Sequence, residues 1–315
     1  MNRTVFLYCD CHPIHAKFAK SVGGKFEDSR FYRPSMRILD AFIKAKSLPE
    51  ADVYLAENGG YLPAALADKE KIIMILAINF YKKSRFHPYG FLHRINLKKI
   101  DGVIAVSDFM KNHFASSLDL DLPIKVANPF IESEKFNMLY SITPDLTSKN
   151  IVSIADTRRR KGLDILIKAF SKVKRVIEDT NLYIVGKETE KLSNTEKNIY
   201  GYGYLEDFED VVSVLKSSSL FVQPSRFDAF PVSTLEAIAA GLPTMVTEKV
   251  GEKELLKPQF VRKVDSIDLA KGILEYLNLD LSDRRRISNN LKQKSLQYRE
   301  SIKLEEFREN FEEML

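Results

Sequence analysis

Two acidic residues, Asp228 and Glu236, lie eight positions apart around a predicted strand-to-helix junction. The apolar run 220–222 before them is typical of a buried parallel strand. After them, apolar residues recur at helical spacing until a Gly-x-Pro stop. The spacing therefore predicts a strand that ends near Gln223, a loop that carries Asp228, and a helix that begins within 232–234.

Such a junction lies at the carboxyl end of a parallel sheet, where α/β proteins bind ligands. The free N–H groups of the first helical turn and the helix dipole suit a diphosphate. Glu236 lies about one turn into the helix, and its two oxygens can accept hydrogen bonds from a ribose diol. The alternative is an ordinary strand-loop-helix unit with a surface Asp and a solvated Glu.

A second cluster of charge follows the predicted strand 151–155. It is a run of four cations, residues 158–161, and Gly162 comes directly after it. A run of cations is usually a solvated loop. Its position at the carboxyl end of a strand instead favours an anion site that neutralises the diphosphate.

These two stretches resemble the signature of retaining GT-B glycosyltransferases, in particular the family 4-like group (glycosyl transferases group 1). That signature has an acid, seven other residues, a glutamate, and a small-residue helix that ends in Gly-x-Pro. Asp228 and Glu236 match it, although the first acid is usually glutamate. The resemblance is specific over residues 150–255 and architectural in the first half of the chain.

The resemblance implies a role for each matching residue. Lys161 and Arg158 would act on the diphosphate and Asp228 on the donor sugar. The family's arginine aligns closer to Asp156, so Arg158 or Arg159 must substitute for it, and Arg158 is preferred. The residues that would bind the nucleotide sugar are Glu236, Arg159, Gly186, Tyr204, Leu205, Phe230, Pro231, Val232, Ser233 and Thr234. An alternative for the tyrosines around residue 204 is a stacked core cluster.

Two weaker contacts to acceptor or sugar are expected in the first half. His12 lies in the first predicted strand-end loop, where family members often carry paired glycines, and a solvated loop histidine is the alternative. Asn79 follows the predicted strand 71–78, where family members commonly have a histidine.

The implied fold class is α/β of the GT-B type, with two Rossmann-like domains facing across a cleft. The first domain, which would bind the acceptor, comprises residues 1–140 and a C-terminal helix of about 296–315 that crosses back to it. The second domain, residues 150–290, would bind the nucleotide sugar.

The composition excludes several other classes of protein. A net charge of +5 over 315 residues is too modest for a dedicated nucleic-acid binder. Two cysteines, Cys9 and Cys11, give neither a disulfide framework nor a zinc pattern. The acidic triplet 119–121 resembles a metal motif of another glycosyltransferase fold, but we interpret it as a solvated turn. We therefore expect no metal and no cofactor besides the nucleotide-sugar co-substrate.

The charge distribution points to a location. The first 149 residues contain 21 Lys and Arg and 16 Asp and Glu, so the whole excess lies there. Segments 30–46 and 81–99 mix these cations with apolar side chains, as membrane-surface segments do. No secretory signal or spanning run is recognisable. We expect a cytoplasmic protein, peripheral on the inner face of an anionic membrane; alternatively, the apolar residues face the core.

The predicted activity is retaining, metal-independent transfer of a sugar from a nucleotide-diphosphate sugar to a hydroxyl of a carbohydrate or lipid-linked acceptor. Hydrolysis by the usual glycosidase route would need a second carboxylate at the sugar, and Glu236 is assigned to the ribose. The alternatives are a nucleotide-sugar 2-epimerase on the same fold and a non-catalytic sugar-nucleotide-binding subunit.

Overall fold

The computed structural model describes residues 3–29, 37–78, 88–118, 121–193, 195 and 197–315. The chain divides into two compact units, one of residues 1–129 and 301–315 and the other of residues 130–300. Within the described residues, each unit is built on one six-stranded parallel sheet. Both units are thus α/β, as predicted.

The first unit has the strand order β2-β1-β3-β4-β5-β6. Its strands are β1 (Thr4–Tyr8), β2 (Lys25–Asp28), β3 (Val53–Glu57), β4 (Ile72–Leu76), β5 (Gly102–Ala105) and β6 (Ile124–Val126). The helices between them are α1 (Pro13–Ser21), α2 (Arg37–Ser47), α3 (Leu62–Leu66), α4 (Pro88–Asn96) and α5 (Asp108–Ala115).

The central strands of this sheet are apolar on both faces because helices cover both sides of a parallel sheet. Every residue of β3 and β4 is buried. Helix α5 begins after Ser107, whose hydroxyl accepts a hydrogen bond from the Met110 N–H at 3.1 Å. β2 was not predicted, because its sequence Lys-Phe-Glu-Asp is the polar strand of a sheet edge.

The second unit has the strand order β12-β11-β10-β7-β8-β9. Its strands are β7 (Asn150–Ile154), β8 (Asn181–Val185), β9 (Ile199–Gly203), β10 (Leu220–Gln223), β11 (Thr244–Thr247) and β12 (Val261–Arg262). The helices that follow α5 are α6 (Ser133–Ser141), α7 (Leu163–Lys174), α8 (Phe208–Lys216), α9 (Val232–Ala239), α10 (Ser266–Leu277), α11 (Leu281–Ser295) and α12 (Glu300–Glu312).

The core of the second unit forms where the helical periodicity places it. Leu163, Leu166 and Phe170 of α7 are buried in one cluster with strand residues such as Leu182 and Val222. The glycine-rich stretch around residue 202 is the edge strand β9. Alternating exposed tyrosines on an edge strand explain why its strand character was hard to recognise.

The C-terminal helix α12 belongs to the first unit from Ser301 onward. Its Phe307 ring stacks on Phe18 of α1 with centroids 4.3 Å apart. The side-chain amide of Asn310 donates a hydrogen bond to the Val126 carbonyl at 2.9 Å. Residues 130–149, which the prediction gave to the first domain and a linker, lie in the second unit, where α6 packs on α8 and α9.

Candidate functional site

Backbone hydrogen bonds to residues 249–251 hold the Asp228 loop in place. The Asp228 N–H donates to the Lys249 carbonyl at 2.9 Å, and the Gly251 N–H donates to the Asp228 carbonyl at 3.1 Å. Asp228 thus forms a parallel bridge with Val250. The loop joins β10 to α9 at the carboxyl edge of the sheet, as the sequence predicted, and the Asp228 side chain is almost fully buried.

Lys161 and Asp228, 67 residues apart in the chain, form an ion pair. Lys161 Nζ lies 2.7 Å from Asp228 Oδ2, and both side chains are largely buried. Lys161 ends a 3-10 turn, Arg159–Lys161, that follows β7. The turn approaches the Asp228 loop closely at Gly162, whose φ is +72° and where a Cβ would lie 2.0 Å from the Pro224 carbonyl oxygen. The two predicted charges therefore meet in one site.

The guanidinium of Arg158 faces a different partner. It forms a two-pronged ion pair with Asp156, with Arg158 Nε 2.8 Å from Asp156 Oδ1. This pairing is the main reason why the pKa of Asp156 falls to about 2. Arg160, absent from the predicted site, instead has Nη1 3.5 Å from Asp228 Oδ2. The sequence analysis favoured Arg158, but the 3-10 turn decides which side chain of the run 158–160 points to Asp228.

Arg159 is exposed, and its carbonyl accepts a hydrogen bond from Arg226 Nη1 at 2.8 Å. Arg226 also forms two 2.7 Å contacts with Asp164 at the start of α7. Arg226 belongs to the Asp228 loop, so these contacts tie the cationic turn to that loop. Arg226 therefore contributes to positioning, a role that its sequence position gave no sign of.

Glu236 lies in the second turn of α9 and is half-buried. Burial raises the pKa of Glu236 to about 7, a rise that Lys135 of α6 opposes and Glu132 adds to. Among the described residues, no side chain forms a hydrogen bond with its carboxyl group. A half-buried carboxyl group without a donor is suited to accept hydrogen bonds from a ligand.

The other predicted residues at the start of α9 differ in their burial and in their hydrogen bonds. Pro231 is the N-cap of α9, so no side chain caps the first turn. The Ser233 hydroxyl donates to the Ile154 carbonyl at 3.2 Å, whereas the buried Thr234 Oγ1 lacks a hydrogen-bond partner among the described residues. Phe230 is buried, with its ring centroid 5.9 Å from that of Tyr298.

Val232 begins helix α9 and is half-buried. The N–H groups of this turn remain suited to an anion.

Gly186, Tyr204 and Leu205 lie at the carboxyl ends of the neighbouring strands β8 and β9. Gly186 has a φ of +144°, and a Cβ there would lie 2.3 Å from the Ala155 carbonyl oxygen. Tyr204 is 73% exposed. The cluster of core tyrosines considered from the sequence is therefore wrong, and Tyr204 is accessible to a ligand.

Glu252 is an acidic residue of this region that the predicted site lacked. It is fully buried, and neither carboxyl oxygen has a hydrogen-bond partner among the described residues. Burial raises the pKa of Glu252 well above its ordinary value, and the charge of Asp228 adds to the rise. An ionised carboxylate in this position would be costly, so the folded state favours the protonated form of Glu252.

Glu252→Gln is expected to raise the melting temperature at pH 8 by more than about 2–4 °C, the shift that 1 kcal/mol gives in a unit of this size. The folded state keeps a proton that the unfolded chain loses above about pH 4.3, so stability falls as pH rises between the two pKa values. At pH 4 the two proteins should melt alike. Thermal unfolding from pH 4 to 9 tests this, with the exposed Glu254→Gln as control; parallel curves for Glu252→Gln and wild type would show that Glu252 is ionised when folded.

In the first unit, His12 is exposed and Asn79 lies outside the described residues. Within the part of the chain that the structure describes, no group of three His, Cys, Asp or Glu side chains has an arrangement that could hold a metal ion. Asp119 and Leu120 of the acidic triplet also lie outside the described residues.

A sequence model of one protein family matches residues 140–294 and is described as glycosyl transferases group 1. Among curated relatives, an uncharacterised glycosyltransferase of Haemophilus influenzae is 26% identical over 202 residues, 59% of this chain and 56% of that protein. The N,N'-diacetylbacillosaminyl-diphospho-undecaprenol alpha-1,3-N-acetylgalactosaminyltransferase of Campylobacter jejuni is 30% identical over 181 residues, 55% of this chain and 47% of that protein. The chain thus spans about half the length of these relatives.

Two solved structures resemble nearly the whole chain. A glycosyltransferase from Rickettsia africae has a TM-score of 0.77 at 16% identity, and the likeness covers 99% of this chain and 98% of that one. Anabaena HepE in complex with UDP and glucose has a TM-score of 0.76 at 15% identity, covering 99% and 100%. At this identity the likeness concerns the fold, and it confirms the predicted GT-B fold class.

Proposed function

Residues 140–294 match the family model of glycosyl transferases group 1, and from this premise we propose that the protein is a retaining glycosyltransferase. It moves a sugar from a nucleoside-diphosphate sugar to a hydroxyl group of an acceptor. The observation that carries the proposal is the Lys161–Asp228 pair beside the start of α9, at the carboxyl edge of the second sheet. It brings a cation for a diphosphate and a carboxylate for sugar hydroxyls into one place.

The diphosphate binds to Lys161, Arg160 and the first-turn N–H groups of α9. As the bond from the sugar to the diphosphate breaks, negative charge grows on the leaving oxygen, and preorganised donors stabilise it. We propose that these cations perform the task that a divalent metal ion performs in other transferases. Arg158 reaches the diphosphate only if it leaves Asp156.

The two acids have separate tasks. Glu236 accepts hydrogen bonds from the ribose diol, which supplies the donors that its carboxyl group lacks. Asp228 accepts hydrogen bonds from hydroxyl groups of the donor sugar once the diphosphate attracts Lys161. Retention of the anomeric configuration is proposed because the stretch from Asp228 to Glu236 resembles the signature of retaining GT-B glycosyltransferases, and the NMR coupling constant of the anomeric proton in the product tests it.

A thermal-shift screen tests the donor. UDP comes first, because HepE was solved with UDP and glucose; GDP, ADP and their common sugars follow. A ligand at 100 times its dissociation constant adds about 2.7 kcal/mol, several degrees in melting temperature. Glu236→Gln is the matched control, which should lose most of this shift. If no nucleoside diphosphate stabilises the protein at millimolar concentration, the proposed donor site is wrong.

We further propose that the acceptor is lipid-linked and that the first unit docks on an anionic membrane. Helix α2 exposes Leu39, Phe42 and Ile43, and α4 exposes Phe91 and Ile95. Both helices pack on α3, and exposed Lys46 and Lys98 are near their C-terminal ends. The Campylobacter relative is named for a diphospho-undecaprenol acceptor. No helix among the described residues is long and apolar enough to cross a membrane.

Vesicle co-sedimentation is expected to show salt-sensitive binding to anionic liposomes and little binding to neutral ones. Each basic residue near the surface contributes about 1 kcal/mol, so Lys46 and Lys98 together change partitioning roughly 30-fold at low salt. Phe42→Asp with Phe91→Asp should abolish binding, because charge replaces the inserted side chains. Ile267→Asp, at a comparably exposed position of the second unit, is the control. Protein that remains in the supernatant with anionic vesicles at low salt would indicate a soluble acceptor.

A further inference from the structure

The first unit contains a buried pair of titratable side chains that the proposed donor chemistry does not use. Glu57 is the last residue of β3 and His15 lies in the first turn of α1; their side chains are 6% and 4% exposed. His15 Nδ1 and Glu57 Oε1 are 2.7 Å apart. β1 and β3 are neighbours, so the pair lies at the carboxyl edge of the first sheet, the edge at which α/β proteins bind ligands.

Glu57 is an ionised member of this pair. Burial by itself would raise the pKa of Glu57, but the hydrogen bond and charge of His15 outweigh it, and the backbone N–H of His12 adds to their effect. The net result is a pKa of Glu57 below its ordinary value. A carboxylate at Nδ1 fixes the ring orientation of a histidine and the nitrogen that carries its proton.

His12 lies beside the pair, on the solvent side. It is the residue before α1 and is exposed, and its ring centroid is 4.9 Å from that of His15. Partial burial, and next the neighbouring His15, lower the pKa of His12 to about 4. At neutral pH its imidazole is therefore uncharged, and one ring nitrogen is free to accept a hydrogen bond.

Two other tasks for this cluster fit less well. The described residues contain no group of His, Cys, Asp and Glu that could hold a metal ion, although Cys9 and Cys11 are close along the chain. A purely structural pair would explain His15 and Glu57, but it would not require an exposed, neutral imidazole against it. An acceptor of hydrogen bonds at a ligand-binding edge suits a hydroxyl group.

We propose that His12 binds a hydroxyl group of the acceptor, and that His15 and Glu57 are positioning residues that hold the His12 ring. The proposal rests on the proposed transferase function and adds the site at which the acceptor is oriented. The hydroxyl donates its hydrogen bond to the neutral His12 ring. The buried His15 ring backs His12, and the Glu57 carboxylate fixes His15.

The test measures how a donor sugar is partitioned between glycerol and water, with glycerol as the probe acceptor and the sugar nucleotide identified by the thermal-shift screen as donor. His12→Ala is expected to lower the ratio of glycosyl-glycerol to free sugar about tenfold, the loss expected for one hydrogen bond to an uncharged group. His12→Asn keeps an acceptor atom and should recover most of the ratio. Asp10→Ala, an exposed position in the same loop, should leave the ratio unchanged.

The positioning role is tested by a double-mutant cycle on the same ratio. Glu57→Gln should lower the ratio in the wild-type background and have no further effect when His12 is already Ala, because Glu57 acts through His12. Additive losses would assign His15 and Glu57 a purely structural role. An unchanged ratio in His12→Ala would overturn the proposal.

Nucleotide binding distinguishes failure of the proposed acceptor site from failure of the proposed transferase function. His12→Ala should be stabilised by the nucleoside diphosphate as much as the wild type, since the donor residues lie in the second unit. A normal nucleotide shift with an unchanged partition ratio contradicts the acceptor site alone. Absence of any nucleotide shift in the wild type contradicts the transferase proposal itself.

Discussion

Lys161→Ala is expected to lower the turnover number by about 10²- to 10³-fold, with a smaller effect on the affinity for the bare nucleoside diphosphate. This is the size of the loss when one preorganised group that stabilises developing charge is removed. Lys161 is held 2.7 Å from Asp228 and largely out of solvent, so its charge is little screened. Steady-state kinetics with the donor identified by screening measures the loss, and EDTA should leave the wild-type rate unchanged.

The stability effect of this substitution must be separated from the catalytic one. Removing Lys161 leaves the buried Asp228 without its nearest cation, which destabilises a folded protein. The double variant Lys161→Ala with Asp228→Asn should recover the melting temperature and not the turnover. Lys149→Ala, which removes an exposed ion pair with Asp179 in the same unit, should change neither. A rate abolished by EDTA and restored by Mg²⁺ would contradict the metal-free proposal.

The same kinetics decide between the arginines. Arg160→Ala should lower turnover more than Arg158→Ala, because Arg160 is the one near Asp228 whereas Arg158 is engaged with Asp156. The opposite order would restore the choice made from the sequence. It would mean that Arg158 exchanges Asp156 for the diphosphate when the donor binds.

The affinity for UDP is expected to fall about tenfold between pH 8 and pH 6 through Glu236. Its pKa of about 7 in the free protein means that roughly nine tenths of the molecules are protonated at pH 6. A protonated carboxyl group no longer accepts both ribose hydrogen bonds, so UDP binds the ionised form and a proton is released on binding. Calorimetry from pH 6 to 8, in buffers of different ionisation enthalpy, measures both the affinity and the proton.

Glu236→Gln and Asp228→Asn are the matched variants for this experiment. Glu236→Gln should weaken UDP binding at pH 8. In this variant the affinity for UDP should change with pH only through the titration of UDP itself. Asp228→Asn should keep the pH dependence and weaken only the sugar nucleotide, since the bare diphosphate has no sugar for it to contact. The reverse pattern would mean that the roles of the two acids are exchanged.

The predictions from local patterns were the most accurate. The strand Leu220–Gln223, the loop of Asp228 and the helix that starts at Val232 lie where the residue periodicity placed them. These features depend on interactions between residues that are close in sequence, and the spacing of apolar and capping residues predicts such interactions.

The sequence alone determined the fold class and the carboxyl edge of the sheet at which the charged residues lie. It also identified the two acids of the site from their spacing of eight positions. The tertiary structure decided which charges meet. Arg160 rather than Arg158 lies near Asp228, Glu252 is buried without a partner, and Glu57 reaches His15 from 42 residues away. Each depends on the rotation of a short turn or on the packing of distant strands. Burial and partner together set the charge state of an acid or a histidine, and neither is fixed until the chain has folded.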